Sequence, residues 1–149
     1  MKILLIEDDT HKATHISDHL HGNLSGDISI RTVRSYQSGL QAIMTEPWDI
    51  VLLDMSLPNY DISPTEDGYR FDAFAGRNIL FEIKRKNVVC RVIVITQYDT
   101  LGEGQDRLTL GELRNQLKEM FPDSYKGAVY YSSSETNWKD ALVALIGQA

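Results

Sequence analysis

The stretch Asp49-Ile-Val-Leu-Leu-Asp-Met-Ser-Leu-Pro58 places a short apolar run directly before an acid, Asp54. The stretch Ile3-Leu-Leu-Ile-Glu-Asp-Asp9 has the same form near the start of the chain. Both runs are apolar throughout, which is typical of a strand that is buried on both faces of a sheet. Acids that follow such strands stand at the carboxyl ends, where parallel sheets bind their ligands.

The rest of the chain alternates strand-like and helix-like segments. Apolar runs that predict strands lie at residues 3–6, 28–33, 50–53, 92–96 and 128–131. Between them, apolar side chains recur every three or four residues, which predicts helices, and the helix near 110–121 opens with the capping box Thr109-x-x-Glu112. This alternation indicates an α/β fold, a doubly wound five-stranded parallel sheet with helices on both faces. Because the second run mixes polar and apolar residues, as edge strands do, we predict the flavodoxin-like order 2-1-3-4-5.

Length and charge narrow the possible functions. The chain of 149 residues is expected to form one domain, residues 1–149. It carries 15 basic and 21 acidic side chains, a formal net charge of −6, so we expect neither direct nucleic-acid binding nor membrane binding. The apolar run at the start is too short for a signal peptide or a membrane span, which predicts a cytoplasmic protein. Cys90 is the single cysteine and is expected to be inert packing.

The predicted topology gathers carboxylates and a hydroxyl at one edge of the sheet. Glu7, Asp8 and Asp9 follow the first strand, Asp54 follows the third, and Thr96 ends the fourth. Crowded carboxylates raise one another's pKa unless a cation compensates, and Mg²⁺ prefers such oxygen ligands. With Mg²⁺ present, one carboxylate can attack a phosphoryl group and form an aspartyl phosphate. The alternative, that these acids only cap the following helices, explains single residues better than the joint pattern.

These two stretches, together with Val92-Ile-Val-Ile-Thr96, resemble the receiver domains of two-component response regulators over essentially the whole chain. The resemblance implies that Asp54 is the phosphoacceptor and that Thr96 hydrogen-bonds the phosphoryl group. It also implies a phosphodonor, either a histidine kinase or a phosphotransfer protein. A downstream protein would dock on the face formed by the fourth helix, fifth strand and fifth helix, or on the enlarged loops.

The resemblance further implies a Mg²⁺ site. Asp8 and Asp54 would bind the ion directly, Ser56 would contribute its backbone carbonyl, and Glu7 would act through water. Asp9 would lie one step outside the pocket.

The chain departs from the family pattern at the end of the fifth strand. The family carries a lysine there, usually followed by proline, whereas this sequence reads Gly127-Ala-Val-Tyr-Tyr-Ser-Ser-Ser134. Lys126 precedes the strand, at the wrong end of the sheet to reach Asp54. The absent ammonium would pair with Asp54 and then with the phosphoryl oxygens. We therefore expect its loss to weaken the conformational response more than the chemical step.

Other departures surround the same edge. Gln97 stands where the family has a small residue, and its side chain would either crowd the phosphoryl site or donate to it. Gly76 is the best match to a motif glycine, which makes residues 59–75 mostly an insertion, and residues 97–109 are also longer than usual. Loops of this length in a compact domain are usually functional, so we expect a partner surface or a partial lid.

His11, His15 and His19 are spaced by four along the first predicted helix, a spacing that can bind zinc or copper. The apolar stripe of that helix faces the core, which places the three imidazoles on the outer side. We therefore interpret them as a solvated face.

The preferred interpretation is a stand-alone receiver domain that relays a signal by protein contact, gated by Mg²⁺-dependent phosphorylation of Asp54. The alternative is a phosphorylation-independent pseudo-receiver that acts as a constitutive binding module, which the absent lysine, Gln97 and the long loops favour. A Mg²⁺-dependent phosphohydrolase would need a second carboxylate two residues after its nucleophile, where Ser56 stands. We therefore do not expect an enzyme.

Overall fold

Five parallel strands form the central sheet of this computed structural model, which describes residues 1–61 and 71–148. The strands along the described chain are β1 (Lys2–Ile6), β2 (Ser29–Val33), β3 (Ile50–Leu53), β4 (Leu57–Pro58), β5 (Phe71–Asp72), β6 (Arg91–Thr96), β7 (Thr100–Leu101), β8 (Leu108–Thr109) and β9 (Tyr125–Tyr130). The central sheet has the order β2-β1-β3-β6-β9. The predicted flavodoxin-like order is therefore confirmed, with β2 at an edge.

Helices cover both faces of this sheet. They are α1 (Thr10–Asn23), α2 (Tyr36–Thr45), α3 (Ala75–Arg85), α4 (Leu110–Met120) and α5 (Asn137–Gln148). Alternate residues of the central strands enter two separate apolar cores, one shared with α1 and α5 and the other with α2, α3 and α4. Burial on both faces explains why β1 and β3 are apolar throughout. None of the helices in the described residues is both long enough and apolar enough to cross a membrane.

The last strand begins earlier than its apolar run suggests. Pairing starts at Tyr125, opposite Val92, and the next pair joins Gly127 to Ile93. Lys126 is thus the extra residue of a bulge and is exposed. Because Lys126 interrupts the apolar pattern, the sequence did not predict the first half of this strand.

Two small antiparallel pairs occupy the segments that the sequence marks as enlarged. β4 pairs with β5, and β7 pairs with β8. Residues 62–70 of the expected 59–75 insertion lie outside the described residues. A Cβ on Gly102, whose φ is +78°, would stand 2.8 Å from a ring carbon of Phe74. The ring of one segment therefore packs directly on the backbone of the other, beside the carboxyl ends of β3 and β6.

Candidate functional site

The carboxyl ends of β1 and β3 bring three acids together. Ile6 pairs with Leu53 in the sheet, and the Asp54 N–H donates a hydrogen bond to the Ile6 carbonyl at 3.1 Å. The residues that follow these strands therefore lie side by side. Glu7, Asp8 and Asp54 each offer a carboxylate oxygen, and these three oxygens lie within 4.8 Å of one another.

Asp54 is nearly enclosed, with 4% of its surface exposed. Its Oδ1 accepts a hydrogen bond from the Met55 N–H at 2.7 Å. Ser56, two residues after Asp54, is half-buried; the role of its carbonyl as a metal ligand stays a prediction.

Thr96 ends β6 at the same edge of the sheet. It is fully buried, and its Oγ1 accepts a hydrogen bond from the Tyr98 N–H at 3.3 Å. Register places Val94 opposite Leu53, so Thr96 extends beyond the level of Asp54 on the neighbouring strand. Gln97 is exposed, and its side-chain amide donates to the Tyr98 hydroxyl at 3.3 Å.

A buried lysine, Lys12, lies among the carboxylates. Its side chain is 1% exposed, and its Nζ is 2.5 Å from Glu7 Oε1 and 3.6 Å from Asp54 Oδ2. The same ammonium donates to the Ile95 carbonyl at 2.9 Å. The fifth strand of the central sheet carries no lysine at its carboxyl end, and the ammonium that lies beside Asp54 comes instead from α1.

The start of α1 positions this lysine. Asp9 is the N-cap of α1, and its Oδ1 accepts the Lys12 N–H at 3.1 Å. Lys12 is then the third residue of the helix, one turn before Ile16 and therefore on the face that enters the core. Sequence reasoning missed it. The available signal was a lysine at a core position of an amphipathic helix, because lysine is almost never buried without a partner.

Burial and mutual repulsion govern the protonation of the acids. Burial, reinforced by Asp54 and opposed by Lys12, raises the pKa of Glu7 from 4.5 to about 7. Burial, reinforced by Glu7, raises the pKa of Asp8 from 3.8 to about 6. Burial also raises the pKa of Asp54, against the opposing attraction of Lys12. Burial by itself lowers the pKa of Lys12, but Asp54 and Glu7 outweigh it, so the pKa of Lys12 is raised and the side chain is charged.

The donor set fits a hard divalent cation such as Mg²⁺. Three carboxylates face one ammonium, so the fully ionised cluster keeps two uncompensated negative charges. Carboxylate oxygens from adjacent strand ends are the ligands that Mg²⁺ prefers. Burial is the main cause of the raised pKa values of Glu7 and Asp8, and repulsion between the carboxylates, which a cation would relieve, adds to it.

The interpretation of the α1 histidines as a solvated face is wrong for two of the three. The rings of His15 and His19 are half-buried and lie 5.1 Å and 5.4 Å from the Trp138 ring, edge to face. His15 Nδ1 also shares a hydrogen bond with the Tyr131 hydroxyl at 2.9 Å. Sequence spacing did not reveal that α5 packs beside α1 and covers these imidazoles; His11 remains exposed.

Comparison with known proteins gives relatives of matching length, although no family model matches the chain. The chain is 30% identical over 145 residues to the uncharacterized protein y4jR of Sinorhizobium fredii, covering 95% of this chain and 94% of that protein. It is 26% identical over 148 residues to the Detocs response regulatory protein DtcB of Enterobacter cloacae, covering 98% of each.

Solved structures show the same fold. The response regulator TrrA of Thermotoga maritima, solved in complex with Mg²⁺ and BeF, has a TM-score of 0.61 and 16% identity over 97% of both chains. Strand order, relatives and solved neighbours agree with the three sequence motifs, and the chain belongs to the response-regulator receiver family.

Proposed function

We propose that this receiver domain is switched by Mg²⁺-dependent phosphorylation of Asp54 and relays the signal by protein contact. The observation that carries the proposal is the cluster of Glu7, Asp8 and Asp54, whose ligand oxygens lie within 4.8 Å of one another beside a buried ammonium. Receiver domains are signalling domains. The enlarged segments at the site would add surface for contacts with a partner protein.

The roles of the residues follow from their positions. Asp8 and Asp54 would hold Mg²⁺ directly, with the Ser56 carbonyl, and Glu7 would hold it through water. Bound Mg²⁺ supplies charge compensation for the phosphoryl oxygens. An Asp54 carboxylate oxygen forms the new O–P bond while the bond from phosphorus to the donor breaks, and the donor leaves with that electron pair. Thr96 Oγ1 already accepts from the Tyr98 N–H, so its own O–H proton is available to a phosphoryl oxygen.

The phosphodonor would be a histidine kinase or a phosphotransfer protein. The downstream protein would dock on the face of α4, β9 and α5 or on the segments around β4–β5 and β7–β8. Support for the first surface is that β9 is an edge strand and that Tyr130 on it is 44% exposed. A single domain over residues 1–149 and a cytoplasmic location stay predictions from the sequence.

A second function, the constitutive binding module, is favoured by one feature of the site. Asp54 is 4% exposed, and Lys12 Nζ lies 3.6 Å from its Oδ2. A carboxylate that is enclosed and already faces an ammonium is poorly accessible to a phosphodonor. In such a pseudo-receiver the surface would bind its partner without phosphorylation.

The switch and the binding module are distinguished by incubating the protein with acetyl phosphate and Mg²⁺ and measuring its intact mass. We expect one phosphoryl adduct, with acetate released, that is lost in Asp54→Asn and lost without Mg²⁺. No adduct in the wild-type chain, together with no Mg²⁺ binding by calorimetry, would overturn the switch in favour of the binding module. Sustained turnover of phosphate esters would instead indicate a phosphohydrolase.

A further inference from the structure

We infer that Lys12 is the cation that pairs with the phosphoryl group, taking from α1 the role that the family assigns to a lysine on the last strand of the sheet. The inference rests on the proposed phosphorylation of Asp54. It concerns which side chain compensates the negative charge of the phosphoryl group.

The contacts of the ammonium support this role. An ammonium has three N–H donors, and Lys12 Nζ faces three oxygens, of Glu7, Asp54 and the Ile95 carbonyl. The contact with Asp54 is the longest of the three, at 3.6 Å. Phosphorylation removes the carboxylate charge of Asp54 and adds phosphoryl oxygens two bonds beyond the carboxylate oxygen. The flexible four-carbon stem of lysine lets the ammonium exchange the carboxylate for a phosphoryl oxygen.

The end of the last strand supplies a second, independent observation. Tyr131 directly follows β9, and its N–H donates to the Thr96 carbonyl at 2.8 Å. It therefore lies beside Thr96, at the carboxyl end of the central sheet. Its ring is 3% exposed, and the ring centroid lies 5.6 Å from Lys12 Nζ. An aromatic ring at the end of the last strand thus flanks the ammonium that α1 supplies.

Because Lys12 lies on α1, its movement affects how this helix packs against the rest of the protein. Lys12 shares its helix with His15, which is hydrogen-bonded to the Tyr131 hydroxyl. The ring contacts of His15 with Tyr131 and Trp138 join α1 to the last part of the chain. A shift of Lys12 toward a phosphoryl group therefore acts first on the packing of α1 against Tyr131 and α5.

Calorimetric titration with beryllofluoride, a phosphoryl mimic, tests the assignment in saturating Mg²⁺. In Lys12→Gln we expect beryllofluoride affinity to fall about tenfold or more, since a charge-assisted hydrogen bond is lost. Mg²⁺ affinity should stay the same or rise, because the removed charge repels the metal. Lys126→Gln, which removes the same charge at the exposed start of β9, is the matched control and should change neither affinity more than about twofold.

The outcomes separate this inference from the proposed function. Wild-type affinity for beryllofluoride in Lys12→Gln would overturn the inference and leave the proposed phosphorylation standing. A wild-type chain that binds Mg²⁺ but no beryllofluoride, and forms no adduct with acetyl phosphate, would overturn both. A purely structural role predicts that the fold and Mg²⁺ binding are lost together, whereas the inference predicts weaker beryllofluoride binding with Mg²⁺ binding retained.

If Lys12→Gln does not fold, the role of Lys12 can be tested by a measurement on the wild-type chain. Buried ammonium groups exchange slowly enough for proton–nitrogen NMR, so ¹⁵N-lysine labelling can follow Lys12 Nζ. We expect beryllofluoride with Mg²⁺ to shift this signal well beyond the shift caused by Mg²⁺ alone. An Nζ signal that does not respond to beryllofluoride bound at Asp54 would overturn the inference.

Discussion

Gly76 lies so close to Asp54 that a Cβ at this position would stand 2.5 Å from the Asp54 carbonyl oxygen and 3.0 Å from the Met55 Cα. The Gly76 N–H donates to the Met55 carbonyl at 2.9 Å. The first turn of α3 is therefore packed directly against the backbone that carries Asp54. This contact explains why a glycine is required at the start of α3. Gly76 is also the residue that best matches the family's motif glycine, after the insertion of residues 59–75.

Gly76→Ala is expected to destabilise the fold by about 1–3 kcal/mol, because backbone atoms must move to admit the methyl group. Gly111→Ala is the matched control, since Gly111 is also the second residue of its helix and its Cβ would meet only Thr109 Oγ1, at 3.9 Å. That change should be neutral or stabilising by up to about 1 kcal/mol. Urea denaturation measures both, and equal effects of the two changes would contradict the proposed contact.

The sheet and the carboxylate cluster were predictable because each depends on a simple rule. Continuous apolar runs marked β1, β3 and β6, and alternation with helices set the parallel topology. Since parallel strands end at the same edge, the acids after β1 and β3 had to meet. The structure brings Glu7, Asp8 and Asp54 together as that rule requires.

Lys12 was not predictable in the same way. Its decisive contact, with the Ile95 carbonyl, joins residues 83 positions apart. Sequence periodicity placed the core stripe of α1 at Ala13, Ile16 and Leu20 and did not single out Lys12. His15 was misjudged for a related reason, since only the packing of α5 beside α1 covers it. Contacts between elements that are distant in sequence leave no local pattern.

Glu7 should make the stability of the metal-free protein depend on pH. Its pKa is raised from 4.5 to about 7, so the folded chain holds a proton that the unfolded chain releases. The stability due to this proton is fully present below pH 4.5 and is lost as the pH rises through 7. Glu7→Gln keeps the shape without ionising. Relative to the wild type, it should therefore gain about 1–3 kcal/mol of unfolding free energy between pH 5 and pH 8.

The same experiment with Mg²⁺ provides the control. Because the metal binds deprotonated carboxylates, Mg²⁺ should stabilise the wild type more at pH 8 than at pH 5 and should stabilise Glu7→Gln less. A difference between the two proteins that does not vary with pH would show that Glu7 ionises as it does in the unfolded chain.

Cys90 should be unreactive in the folded protein. It is 8% exposed, and burial raises the pKa of its thiol from 9.0 to about 11. The thiolate is the nucleophile, and two pKa units reduce its fraction about a hundredfold at pH 8. Mass spectrometry with iodoacetamide should show labelling only after unfolding in urea, unambiguously, because the chain has one cysteine. Rapid labelling of the native protein would contradict the burial of this side chain.

Moving the lysine from α1 to the strand end should restore phosphoryl-mimic binding. Tyr131 lies beside Thr96, with its ring 5.6 Å from Lys12 Nζ, so a lysine at position 131 can place its ammonium near the one that is removed. We expect the double variant Lys12→Met, Tyr131→Lys to bind beryllofluoride with Mg²⁺ about tenfold more tightly than Lys12→Met alone. Tyr131→Phe in the same background is the control for lost hydrogen bonding to His15 and should restore nothing. If the double variant does not regain beryllofluoride affinity while thermal unfolding shows an intact fold, a lysine at position 131 does not reach the phosphoryl site. The position of Lys12 on α1 is then itself required for binding.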